Sequence, residues 1–111
     1  MAKIYPKKDR TIEQYKRVGA RARLCKAAAG KAAIALGSIL PSGEYAKVRR
    51  LLDLIDEICC MADGRLFHDH PEAAGKDYTR VFYGPLGGDT SSTADEEVRK
   101  LAREYADELF A

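Results

Sequence analysis

Residues 11–40, TIEQYKRVGARARLCKAAAGKAAIALGSIL, carry the longest uninterrupted helical pattern in the chain. Apolar side chains recur there at steps of three and four, the period of one buried helix face. They are Tyr15, Val18, Ala22, Cys25, Ala29, Ala33, Leu36 and Leu40. Thr11 and Gln14 have the spacing of a capping box at the start, and Pro41 stops the pattern at its end. The sequence therefore predicts a helix over about 11–40.

The two halves of this helix differ in polarity. Between Arg10 and Lys26 the surface outside the apolar stripe is basic, whereas from Ala27 onward only Lys31 and Ser38 are polar. A helix that is apolar on most sides is buried on more than one of them. We therefore expect the C-terminal half to lie in the middle of the fold. The N-terminal half should extend into solvent or towards a partner.

The connection after this helix, Pro41-Ser42-Gly43, is short. A connection of this length requires the next helix to pack antiparallel to the first. We predict the second helix over about 43–63, with Gly64 as its C-terminal capping residue. Its apolar face is wide. The residues assigned to that face are Tyr45, Val48, Leu51, Leu52, Ile55, Ile58, Cys59 and Ala62.

The rest of the chain predicts two further helices. The segment 71–83 begins like a helix at Pro71 but contains the strand formers of 78–83. We choose a short helix there, because no other segment offers a partner strand. A capping box at Thr93 and Glu96 opens a last helix over about 93–110. The predicted fold is all-α: a long antiparallel helical hairpin with two more helices in one small bundle, preceded by a flexible basic arm at 1–9.

Charge is divided unevenly along the chain. Residues 1–31 hold ten Lys/Arg against two Asp/Glu, whereas residues 51–111 hold six against fourteen. A basic arm and helix could contact phosphate groups. The residues predicted for nucleic-acid binding are Lys7, Lys8, Arg10, Lys16, Arg17, Arg21, Arg23 and Lys26.

Pairing within the molecule is the competing explanation of this charge, and we favour it. An antiparallel hairpin brings the basic end of the first helix beside the acidic end of the second. Arg17 and Arg21 should then pair with acids of the second helix, namely Asp56, Glu57 and Asp63. An acidic protein partner is a further alternative.

Five large apolar residues lie outside the buried stripes and predict a protein interface: Leu24, Ile34, Ile39, Leu54 and Met61. Four short helices offer too little surface to cover them all. We expect a protein partner or a homodimer. The predicted function is a non-catalytic helical interaction module, and the alternative is a small nucleic-acid-associated regulator.

The sequence gives little support for a metal site or a catalytic site. Ligand-type side chains cluster within residues 59–70, but Cys59 and Cys60 point about 100° apart on a helix and no C-x-x-C or H-E-x-x-H spacing is present. The other members are Asp63, His68, Asp69 and His70. A Cys–His nucleophile is conceivable, but no catalytic or phosphate-binding motif accompanies it. We expect no metal and no cofactor, and we favour a non-catalytic role over a metal or thiol enzyme, which ranks third.

The cysteines and the N-terminal segment also predict the cellular compartment. Three cysteines, two of them adjacent, are typical of free thiols in a reducing environment. The opening MAKIYPKKDR lacks the apolar region of a signal peptide, and charged residues interrupt every apolar run before it reaches membrane length. We expect a cytoplasmic protein that does not enter a membrane.

Overall fold

The computed structural model describes residues 4–73, 81–82 and 93–109. Within these residues the chain forms three α-helices: α1 (Ile12–Leu36), α2 (Ser42–Asp69) and α3 (Thr93–Leu109). Single turns of 3-10 helix at Lys7–Asp9 and Pro71–Ala73 precede α1 and follow α2. Helix α1 packs against both α2 and α3 and is the central element. The predicted all-α bundle is confirmed.

Helices α1 and α2 form the predicted antiparallel hairpin. The Thr11 Oγ1 accepts a hydrogen bond from the Gln14 amide at 3.1 Å, which is the expected N-cap. Near the turn, the Tyr45 hydroxyl donates to the Ala33 carbonyl at 3.1 Å. At the other end, the Tyr15 hydroxyl donates to the Asp69 carboxylate of α2, and its oxygen lies 3.2 Å from the Arg65 carbonyl oxygen. These two bonds fix the register of the helices along their length.

Helix α2 is longer than predicted. It continues through Gly64 to Asp69, so the prediction of a helix end at residue 63 was wrong. Gly64 weakens a helix by about 1 kcal/mol relative to alanine. Tertiary contacts offset this, because Leu66 is fully buried in the core and Asp69 is paired with Arg10. Helix α1, in contrast, ends at Leu36, and a hydrogen-bonded turn takes the chain to Pro41.

The predicted helix over 71–83 is wrong for the parts that the structure describes. Only Pro71–Ala73 is helical, as one 3-10 turn, while Val81 and Phe82 form a bend. Both side chains of the bend are buried, so their apolar surface is used by tertiary packing instead of a helix stripe. Residues 74–80 and 83 lie outside the described residues.

The core surrounds the first half of α1, opposite to the sequence-based expectation. Its buried members are Tyr15, Ala20, Cys59, Leu66, Val81, Phe82, Val98 and Ala102. After Arg23, the only buried residue of α1 is Ala33. Alanine side chains bury little apolar area, so exposing an alanine-rich segment loses little hydrophobic free energy. The half of α1 that we expected in the middle of the fold therefore lies outside the core.

None of the described helices is apolar over a length that would cross a lipid bilayer.

Candidate functional site

Two of the predicted nucleic-acid contacts, Lys16 and Arg23, lie inside the bundle. Their exposed fractions are 5% and 2%. Lys16 Nζ pairs with Glu97 of α3, and Arg23 Nη1 lies 2.7 Å from Oδ1 of Asp95, also on α3. Arg99, one turn later, contacts the other Asp95 oxygen at 3.2 Å. Both cations therefore hold α3 on α1 and are out of reach of an external phosphate.

The other predicted basic residues are divided between ion pairs and open surface. Arg10 binds Asp69, and Lys26 Nζ lies 2.7 Å from Asp56 Oδ1 in a half-exposed pair. Lys7, Lys8, Arg17 and Arg21 are exposed, and the Arg21 guanidinium lies 4.0 Å above the Tyr105 ring centre. Four of the eight residues are thus paired within the molecule, by Asp69 and α3 more than by the α2 acids that we predicted. Asp56 pairs with Lys26 instead of with Arg17 or Arg21.

The residues weighed as metal ligands are spread apart. Cys59 is buried in the core, Cys60 is exposed on the other side of α2, and Cys25 is also a free thiol. Among the residues that the structure describes, no three ligand-type side chains come together as a metal site. Asp69 and His70 are instead engaged in a hydrogen-bonded cluster.

That cluster joins the N-terminal segment to the end of α2. Asp69 accepts hydrogen bonds from the Arg10 guanidinium and from the Tyr15 hydroxyl, and these bonds hold the pKa of its carboxyl well below the ordinary range. Burial, followed by the bond to Asp69, raises the pKa of Tyr15 to about 12. His70 Nε2 donates to the Arg10 carbonyl at 2.7 Å, and its Nδ1 faces the Glu72 carboxylate at 3.2 Å. Arg10 is therefore held through both its side chain and its backbone.

A groove opens beside this cluster, between the N-terminal segment and the hairpin. Its volume is about 450 Å³. Val18, Ala62 and Phe82 form apolar walls, and the charged side chains that line it are Arg10 and Arg65. We call this cleft the hairpin groove. Sequence reasoning missed it, because Ala62, Arg65 and Phe82 reach it from segments far from α1 in the chain.

A row of exposed apolar side chains runs along α2. Leu51, Leu54, Ile58 and Met61 recur at steps of three and four, so they share one helix face. Their exposed fractions lie between 39% and 70%. We call this row the α2 outer face. Leu54 and Met61 were predicted for an interface, whereas Leu51 and Ile58 were assigned to the core. The apolar pattern of α2 is too wide for one buried stripe, and this width was the signal that some of its residues would be exposed.

The remaining predicted interface residues differ in exposure. Ile34 and Ile39 are exposed near the turn of the hairpin. Leu24 is partly buried and packs against the core, so little of it is open to a partner. Leu24 therefore contributes to the fold, while the role of the two isoleucines stays a prediction.

Two unpaired charges lie along one edge of the α2 outer face. Arg50 and Glu57 are exposed and immediately precede Leu51 and Ile58. Seven residues of helix separate them by about 10 Å along the axis, so they cannot pair within one chain. Neither has an ion-pair partner among the described residues.

No protein-family model, no curated protein and no solved structure matches this chain.

Proposed function

We propose that this protein is a non-catalytic helical interaction module that self-associates through the α2 outer face. The observation that carries the proposal is the contiguous row Leu51, Leu54, Ile58 and Met61. Single exposed apolar residues are ordinary on a protein surface, whereas contiguous patches with a polar rim mark interaction sites. The polar rim here includes Arg50 and Glu57.

Charge supports a second copy of the chain as the partner. When two α2 helices lie antiparallel with Leu51 opposite Leu54, Arg50 of one copy comes beside Glu57 of the other. The contact is reciprocal, so each dimer would contain two such pairs, as a two-fold interface requires. Each charge would then acquire the partner that it lacks in the monomer.

The shape of the molecule supports the same partner. Helix α3 packs on the half of α1 that contains Lys16 and Arg23, and among the described residues the turn half of the hairpin consists of two helices. Two such halves packed face to face would make a four-helix arrangement, in which short connections and facing apolar rows are usual. Association would bury Leu51 and Leu54 in that turn half, together with Ile58 and Met61, which lie on the same face nearer the core.

Light scattering over a concentration series tests the proposal. The wild-type protein should form a dimer of twice 12.3 kDa at micromolar concentration. Ile58→Glu should remain monomeric, because a carboxylate cannot be buried between two apolar faces without a large desolvation penalty. Cys60→Glu, which adds the same charge on the exposed opposite side of α2, is the matched control and should still dimerise. A wild-type protein that stays monomeric throughout would contradict the proposal.

The alternative is a nucleic-acid-associated regulator, and the four exposed basic residues Lys7, Lys8, Arg17 and Arg21 support it. Phosphate contacts make binding fall steeply with salt. We expect no tight, salt-dependent binding of DNA or RNA, and finding it would favour the alternative. The three free thiols suit a reducing compartment, and we place the protein in the cytoplasm.

A further inference from the structure

We propose that the hairpin groove binds a small aliphatic carboxylate, a function separate from self-association. Its volume of about 450 Å³ falls within the range of small-molecule sites, roughly 300–1,000 Å³. Val18, Ala62 and Phe82 supply apolar walls suited to an alkyl chain. Apolar walls with few polar groups are the usual composition of such sites.

The walls of the groove are held in place before any ligand arrives. The Tyr15 ring packs edge-on against Phe82 with ring centres 6.5 Å apart, and against His70 at 5.9 Å. Asp69 fixes both the Tyr15 hydroxyl and the Arg10 guanidinium. A preformed site loses less conformational entropy when it binds, so more of the burial energy appears as affinity.

Charge selects the head group. Arg10 is neutralised by Asp69, whereas Arg65 is exposed and no described carboxylate lies within ion-pair distance of it. The groove therefore presents one uncompensated cation beside apolar walls. A guanidinium binds a carboxylate through two parallel hydrogen bonds, which suits a monoanion with an apolar body.

The site is separable from the α2 outer face. Arg65 follows Ile58 by seven residues, so it lies two turns nearer the C-terminal end of α2. In the antiparallel register that pairs Arg50 with Glu57, Arg65 lies opposite Ser42, the first residue of the second α2, at the end of the overlap. Ligand binding should therefore survive Ile58→Glu, which makes failure of this proposal distinguishable from failure of self-association.

Calorimetric titration with decanoate, decanol and decyltrimethylammonium, each below its micelle concentration, tests the proposal. Decanoate should bind the wild type and Ile58→Glu alike, and the cation should not bind. Arg65→Gln should weaken decanoate binding by roughly ten- to hundredfold, as loss of a charged hydrogen bond implies, and leave decanol unchanged. Arg49→Gln is the matched control, since Arg49 lies near Tyr45 at the far end of α2, and it should bind like the wild type.

Val18→Trp, which fills the groove, should abolish decanoate binding while the helical circular dichroism is retained. Equal affinity for decanoate and decanol, with no effect of Arg65→Gln, would overturn the carboxylate assignment. Loss of binding in Ile58→Glu would also overturn it, because the ligand would then sit in the dimer interface. If Val18→Trp does not fold, the Arg65→Gln and Arg49→Gln comparison decides.

Discussion

Arg10 and Asp69 are joined by two hydrogen bonds, from Nε to Oδ2 at 2.7 Å and from Nη2 to Oδ1 at 3.1 Å. Arg10 lies just before α1, and Asp69 is the last residue of α2. The pair therefore closes the end of the hairpin opposite the turn at Pro41. Both ends of the hairpin are fixed, one by the covalent connection and the other by this ion pair.

Asp69 should make stability depend on acid. Because folding lowers the pKa of its carboxyl, the stabilisation is fully present above the ordinary value, near 4, and is lost as the pH falls through the folded value. Asp69→Asn should be less stable at pH 7 and show a flatter loss of stability towards acid. Urea midpoints measured from pH 7 to pH 2 would show this. Asp53→Asn, an exposed carboxylate outside the ion pairs, should behave like the wild type.

Tyr15 should give the opposite dependence in base. Folding raises its pKa to about 12, so its stabilisation is fully present below the ordinary value, near 10, and is lost as the pH rises towards 12. Tyr15→Phe should lose about 0.5–1.5 kcal/mol at pH 7, because its hydrogen bond is removed. The spectrophotometric titration of that variant should lack the tyrosine that ionises near pH 12. Tyr45→Phe should keep it.

Gly19 should not tolerate a side chain. A Cβ added there would lie 2.5 Å from the Val81 carbonyl oxygen, so α1 and the Val81 bend would have to separate. Gly19→Ala should cost roughly 1–3 kcal/mol in thermal or urea unfolding. Gly30→Ala and Gly64→Ala are the controls, since nothing lies within 4 Å of either added Cβ. Each should stabilise its helix by about 0.5–1 kcal/mol, and destabilisation at Gly64 would mean that α2 ends there.

Asp95 should be critical for the attachment of α3. Its carboxylate is buried between Arg23 and Arg99, so its removal would take from two buried guanidinium groups the carboxylate that they share. Asp95→Ala should destabilise the protein by roughly 3–5 kcal/mol. Glu104→Ala, at an exposed position of the same helix, should have a small effect. Similar urea midpoints for the two variants would contradict the role assigned to Asp95.

Charge reversal should reveal the register of the proposed dimer. Arg50→Glu and Glu57→Arg should each weaken dimerisation, because each places like charges together across the two-fold axis. The double variant should recover it, with the charges exchanged. Arg49→Glu lies outside that edge and serves as the control. Sedimentation equilibrium measures all four, and a dimer that is insensitive to both single changes would have another register.

The sequence predicted the helices better than their ends. The capping box at Thr11 located the start of α1 correctly, because capping is a local interaction. The end of α2 is decided by Leu66 and Asp69, whose partners lie on α1 and in the N-terminal segment. A local rule applied to Gly64 could not include those contacts.

The sequence did not predict which basic residues are buried. Periodicity assigns apolar side chains to the core and charged ones to the surface, so Lys16 and Arg23 were expected outside. Their partners, Glu97 and Asp95, lie more than seventy residues away in the chain. The C-terminal region is acidic, which is consistent with such pairs. The antiparallel hairpin, however, predicted that the partners of the basic residues lie on α2. The α2 outer face was predicted only in part for the related reason that Leu51 and Ile58, two of its four residues, were assigned to the core.

The thin packing around the turn end of the hairpin has a thermodynamic consequence. There Ala33 is the only buried residue of α1 after Arg23, so the free energy of local opening is low compared with the region around Leu66 and Val98. Local opening can begin at residues 37–41 and extend along α1 and α2 while α3 stays packed against the first half of α1. A partner that covers Leu51 would then stabilise the most easily opened part of the chain. Association and local ordering would be thermodynamically linked, so affinity would report on the stability of one half of the hairpin.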